Sequence, residues 1–280
     1  MLYRLISAVA IIIVTANAQA QVARSAKGFF DRGCKRLERR DYDGAIADFT
    51  RVIELISHHD YRHNTWANRV IPGNDVPGFE RVTLIDPNIA NVYANRCLAR
   101  YEKRDLDGAI ADCDRALSIS PQRVEAILNR GNAYYARRDL DKAMADYDRA
   151  LTVNPRYAEA YNNRGNVRRD QGDYIGAIAD FDQAIDCNPR SAAAYYNRGF
   201  AHRHIGNGDG ALADFNRAIE LNPRLARAYY GRGVVRSDRE EWEQAISDFD
   251  RALELDPGLI QAKEYRGAAK LMQKEGKVKN

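Results

Sequence analysis

Six of the eight prolines, at positions 87, 121, 155, 189, 223 and 257, stand 34 residues apart. A fixed step of this length marks a chain made by stacking one supersecondary unit, and it constrains the fold more than any local propensity does. Upstream of the prolines other marks keep the same step. One alanine series runs through Ala109, Ala143, Ala177, Ala211 and Ala245, with Ala45 as an out-of-step first member, and a second runs from Ala116 to Ala252. Glycines at 131, 165, 199 and 233 fill one slot, matched by Gly33 and Gly267 at the two ends. Tyr147, Phe181, Phe215 and Phe249 fill an aromatic slot that Phe49 holds in the first copy.

Within a copy, two apolar-periodic stretches of helical spacing are joined by a short polar turn such as Asp170-Gln171-Gly172-Asp173, and the second ends at a proline that cannot continue a helix. Gly165 and Ala177 would let two antiparallel helices approach closely, with Phe181 and Tyr161 filling the space where they diverge. One such pair cannot bury its apolar face, so neighbours must stack into a solenoid.

With a bulky residue, a glycine, an alanine, an aromatic, a second alanine and a proline in a 34-residue frame, residues 26 to about 259 resemble the tetratricopeptide repeat. The resemblance implies an all-α fold, a right-handed α-solenoid of helix-turn-helix repeats with a concave groove for peptides or protein segments. Residues 21–259 are expected to form about six repeats. Residues 260–280 then form a capping helix and basic tail, with Lys270, Lys274 and Glu275 on its polar outer face.

The first copy breaks after Leu55, and Ile85-Asp86-Pro87 resumes the frame about thirty residues late. Residues 56–84 read as a loop with a short helical part, either a functional excursion or a decayed repeat in which Phe79 and Val82 mark the aromatic and alanine slots. His59 and His63, four apart beside Asp60, have the spacing of two metal ligands on a helix, but no third ligand is evident. No metal or cofactor is therefore expected. His202 and His204 read as surface residues. Gly206–Gly210 aligns with the turn inside a repeat and follows no strand, so it is not read as a phosphate loop.

The N-terminus carries one early cation, Arg4, an apolar run over residues 5–14 and the small-x-small ending Ala18-Gln19-Ala20. That is the pattern of a secretory signal peptide spanning residues 1–20, cleaved near Ala20, and the run is too short to span a bilayer. A periplasmic or secreted protein without stable membrane insertion is expected, the alternative being an uncleaved N-terminal anchor. The 280 residues are 45% hydrophobic and 29% charged, a globular composition. With 43 Lys plus Arg against 39 Asp plus Glu, the net charge of +4 is too balanced for a phosphate-neutralising surface, and no nucleic-acid partner is expected.

Arg96, Arg130, Arg164, Arg198 and Arg232 fill the slot before the cysteine or glycine, where the repeat family commonly holds leucine. Asp112, Asp146, Asp180, Asp214 and Asp248 recur on the second helices. Structural Arg–Asp pairing between the two helices is the preferred reading, because a planar guanidinium holds a carboxylate bidentately. An anion-binding row of arginines is the alternative. One residue earlier, Asn95, Asn129, Asn163 and Asn197 form a ladder whose amides would bind the backbone of an extended peptide. It is similar to the asparagine ladder in the repeat superhelix of the O-linked N-acetylglucosamine transferase, fails at Gly231, and would otherwise meet only water. Asn132 and Asn166, with Tyr101, Tyr135, Tyr196, Phe200 and Tyr230, are placed on the same groove face. Cys97 replaces the glycine and Cys113 the aromatic of one repeat. They form either a disulfide or an exchange of volume between two helices. Cys187 reads as a buried apolar residue and Cys34 as a groove-side cysteine without a partner.

The leading function is a non-catalytic scaffold that binds an extended peptide or protein segment. An assembly or regulatory subunit of an envelope complex, docking through 56–84, is the alternative, and a metal-dependent enzyme the weakest one. The sequence offers no positive case for catalysis, and its groove slots Ala94, Leu128, Asn162 and Tyr196 do not supply the lysines of a two-carboxylate clamp.

Overall fold

In the computed structural model the described residues are 21–22, 24–70 and 89–279, of which 58–70 and 276–279 are described by backbone alone. They form thirteen helices and no strand. Helix α1 covers 24–38, followed by α2 (Tyr42–Val70), α3 (Ile89–Glu102), α4 (Leu106–Ile119), α5 (Val124–Ala136) and α6 (Leu140–Val153). Then come α7 (Ala158–Asp170), α8 (Tyr174–Cys187), α9 (Ala192–His204), α10 (Gly208–Leu221), α11 (Ala226–Asp238), α12 (Trp242–Leu255) and α13 (Ile260–Lys279). The all-α architecture is a solenoid of two-helix repeats, as the period implies. Contacts divide it into two compact units, residues 1–142 and 143–280, each a stack of helix pairs.

The turns are built by local chemistry. Two residues past the end of the first helices α3, α5, α7, α9 and α11 the chain turns through a left-handed conformation, with φ of 66° at Arg104 and Arg138, 83° at Gly172, 77° at Gly206 and 62° at Glu240. After α7 the Gly172 and Asp173 amides donate back to Arg169 and Arg168 carbonyls at 3.0 and 2.9 Å, which satisfies the last carbonyls of the helix. The Asp173 side chain then caps α8 by accepting from the Gly176 amide at 2.8 Å, and Asp105 and Asn207 cap α4 and α10 in the same way. A Cβ on Gly176 would lie 2.1 Å from the Asp173 carboxylate, so a larger residue there would turn that side chain aside, and in the third repeat Lys142 fills the same slot beside Asp139.

Each pair packs through the contact read from the sequence. A Cβ at Gly165 would lie 2.6 Å from the Phe181 ring, and at Gly233 2.8 Å from Phe249. These rings are fully buried with Ala177, Ala211, Ala245 and Ala252. Close approach of backbone to ring is what excludes any larger residue at the glycine. In the second repeat the same place is bridged covalently: Cys97 and Cys113 form a disulfide with Cα atoms 5.5 Å apart. Sulfur thus links the helices where other copies set a ring against glycine.

Two elements differ from the sequence reading. Helix α2 continues without a break to Val70, so the first part of the 56–84 segment is helical rather than loop. Residues 71–84, including Phe79 and Val82, lie outside the described residues, as do residues 1–20 with the signal-peptide reading, and the side chains of His58, His59 and His63. On α13 the outer face is not uniformly polar, because Ile260 and Leu271 are exposed there.

Candidate functional site

The arginine slot is an ion-pair ladder. Arg164 donates from Nε and Nη2 to Asp180 at 3.0 and 2.6 Å, a bidentate grip between α7 and α8. Arg96 holds Asp112, Arg198 holds Asp214 and Arg232 holds Asp248, each at 2.6 Å. Arg130 belongs to the first unit and Asp146 to the second. A second cation one turn on, Arg100, Arg168 or Arg236, donates to the same carboxylate at 2.8–2.9 Å. In the fifth repeat His202 takes that slot, 3.9 Å from Asp214.

Sequence reasoning missed the third nitrogen. Nη1 of each ladder arginine reaches back to the preceding repeat: Arg130 to Asp114, Arg164 to Asp148, Arg198 to Asp182, Arg232 to Asn216 and Arg266 to Asp250, at 2.5–2.8 Å. The acceptors lie two positions after the buried aspartate and themselves recur every 34 residues, a signal that could have found them. A tyrosine three residues before the arginine lies over the guanidinium, Tyr161 on Arg164, Tyr195 on Arg198 and Tyr229 on Arg232, with each ring centroid at 5.5 Å. Tyr161 therefore packs on the ladder. The two flanking carboxylates raise the Arg164 and Arg198 pKa values further. A cavity of about 480 Å³ between α11 and α12 surrounds the Arg232–Asp248 pair and belongs to this framework.

The first helices carry the other face. In the second unit Asn197 donates to Asn162 Oδ1 at 3.0 Å, and Asn162 donates to Asn163 at 3.1 Å. Arg169 donates to Asn166 at 3.0 Å and Asn197 at 3.5 Å, while its guanidinium lies 5.7 Å over the Phe200 ring. Phe200 packs on His204, which also stacks on Tyr174, both at 4.5 Å. Arg203 bonds Asp238 at 3.0 Å. These contacts join α7, α9 and α11 into one wall of amides, rings and cations.

Placement of the groove residues is uneven. Asn163, Asn166, Tyr196, Phe200 and Tyr230 are half-buried on this wall, and Asn95, Tyr101, Asn129, Asn132 and Tyr135 are half-buried on the first helices of the first unit. Asn197 is only 8% exposed and is bonded on both sides of its amide, so it ties α9 to α7 instead of presenting a free amide. Asn95 is turned toward Cys34, donating to its Sγ at 3.6 Å, which supplies the partner the sequence reading lacked. Cys187 is half-buried. Tyr196 touches Phe215, and Tyr230 packs on Phe249 and Tyr265. Burial pushes both tyrosine phenols up, against the pull of Arg169 and Arg227 at Tyr196. Burial first, then Arg203 and Arg169, push the His204 pKa down. Among the described residues no cluster of three His, Cys, Asp or Glu could hold a metal ion, and no helix is long and apolar enough to cross a membrane.

Known proteins give a consistent picture. A TPR repeat model matches residues 131–168 and 165–206, and a tetratricopeptide repeat model matches 192–225 and 226–259. A crystal structure of MamA is 27% identical, covers 56% of this chain and 92% of its own, and superposes with a TM-score of 0.51. YrrB, described as a TPR protein with an unusual peptide-binding site, is 23% identical over 68% of this chain and 98% of its own, with a TM-score of 0.53. The Cut9–Hcn1 hetero-tetramer of APC/C is 16% identical over 90% of this chain and 46% of its own, with a TM-score of 0.70. No curated protein sequence matches. On these matches residues 131–259 are tetratricopeptide repeats, and the described helix pairs before them keep the same two-helix plan.

Proposed function

We propose that the chain is a non-catalytic interaction scaffold that binds an extended peptide or protein segment along the first-helix wall. The observation that carries this reading is the joined surface of Asn163, Asn166, Arg169, Phe200 and His204 on α7 and α9. Amides suit the backbone of an extended chain, and rings on a rigid support give contact area at little entropic cost. Cations and carboxylates alternate there, Arg169 beside Asp170 and Arg203 on Asp238, which favours a partner of mixed charge. The YrrB structure shares the fold, and its description as peptide-binding agrees with this use of the repeat.

We place the protein in the periplasm or outside the cell. The residue 1–20 pattern supports export, and the Cys97–Cys113 disulfide suits an oxidising compartment. The continuous helix α2 favours a second reading, in which 56–84 is a docking element of an envelope complex.

Peptides selected from a random library on the mature chain test the scaffold. Replacing Asn163 and Asn166 by Ala is expected to cost about 1 kcal/mol per lost bond, roughly thirtyfold in affinity together, with the thermal melt little changed. Deleting 58–84 is expected to leave that binding intact. Loss of binding on the deletion but not on the double replacement would transfer the function to the docking segment.

A further inference from the structure

Helix α13 repeats the first-helix pattern. Its Arg266, Gly267 and Lys270 stand 34 residues after Arg232, Gly233 and Arg236. Each of the earlier three has its partner on α12: both arginines donate to Asp248, at 2.6 and 2.8 Å, and Gly233 lies against Phe249. The same trio at 164, 165 and 168 is met by Asp180 and Phe181 of α8. An aspartate followed by an aromatic is thus what this face receives in the repeats before it.

On α13 the face is open among the described residues. A Cβ at Gly267 would meet no described atom within 4 Å. Arg266 makes the backward bond, Nη1 to Asp250 at 2.8 Å, and its Nε–Nη2 edge has no acceptor among the described residues. Ile260 and Leu271, 67% and 58% exposed, lie seven residues before and four after Gly267 and so share its side of the helix. Lys263, Lys270 and Lys274 follow one edge of this stripe, and Glu264 and Glu275 the other.

We propose that this face docks an amphipathic helix of another polypeptide, one carrying an aspartate–aromatic step. The ring sits over Gly267 between Ile260 and Leu271, and the carboxylate sits between Arg266 and Lys270. A second copy of α13 is a poor occupant, because an antiparallel pair of identical faces sets lysine edge against lysine edge. The acidic–aromatic step of α13 itself is committed elsewhere, with Tyr265 packed on Tyr230 at 5.8 Å.

The test uses the full mature chain and a labelled synthetic peptide with the 14-residue sequence Trp242–Leu255, which contains Asp248 and Phe249. Fluorescence anisotropy is expected to show saturable binding. Gly267→Leu in the chain, or Asp248→Asn with Phe249→Ala in the peptide, is expected to weaken it at least about tenfold, while Asn163→Ala leaves it unchanged. Circular dichroism of the Gly267→Leu chain checks that the helices persist. Binding that is absent, or indifferent to these changes, overturns the proposal, as does self-association of the chain that Gly267→Leu abolishes.

Discussion

Replacing Asp180 by Ala tests the ion-pair ladder where it is most enclosed. Its carboxylate is 2% exposed and accepts three charged hydrogen bonds, from Arg164 Nε and Nη2 and from Arg168 Nη1. Removing it strands two guanidinium groups, although Arg164 keeps Asp148 at 2.6 Å. Breaking a buried pair costs about 3–5 kcal/mol. The Arg164 and Arg168 side chains are 18% and 30% exposed, so water screens part of the orphaned charge and the lower end, about 3 kcal/mol, applies. In a protein of this size that is a fall of about 6–12 °C in melting temperature. The assay is a melt and a urea titration followed by far-UV circular dichroism. Asp209→Ala, which removes an exposed carboxylate paired with Arg239, is the control and is expected to leave the melt near wild type. If Asp180→Ala melts with that control, the bidentate pairs contribute nothing to holding the repeats together.

Gly165→Ala drives a Cβ to 2.6 Å from the Phe181 ring and is expected to destabilise by about 1–3 kcal/mol, whereas Gly267→Ala meets no described atom within 4 Å and gains helix propensity; urea titrations of the two separate close packing from propensity. Titrating thiols in the denatured, unreduced chain is expected to find two, Cys34 and Cys187, and reducing the Cys97–Cys113 bond to cost about 3 kcal/mol. Asp48 is held below the usual carboxylate range by its bond to Arg32, with Arg36 adding to the effect. Its stabilisation is therefore present above the ordinary aspartate pKa of about 3.9 and lost as pH falls through the depressed native value. Asp48→Asn is expected to flatten the acid limb of a stability-versus-pH curve.

The repeat and its helix pairs were legible because period, glycine, aromatic and proline agree at one spacing. The Arg164–Asp180 type of pair was legible because both partners recur in step. The backward bonds to Asp114, Asp148, Asp182 and Asp250 were written just as regularly, but a recurrent acid on a second helix reads equally well as solvated surface. Only the stacking of one pair on the next shows that a guanidinium spans both. The groove divides on the same ground. Residue type placed Asn163, Asn166 and Phe200 on one wall, yet whether an amide faces solvent depends on the neighbouring helix, and Asn162 on α7 takes up Asn197 on α9. The reach of α2 to Val70 was hidden because the repeat frame ends at Leu55 while helix propensity does not.

Amide hydrogen exchange on residues 21–280, with and without a library-selected peptide, bears most directly on the central claim. If the first-helix wall is the binding surface, protection will concentrate on α7, α9 and α11, and replacing Phe200 by Ala will remove it without lowering the melt by more than its lost contacts explain. Protection confined to the second helices α8, α10 and α12, or to residues 58–70, would contradict the account.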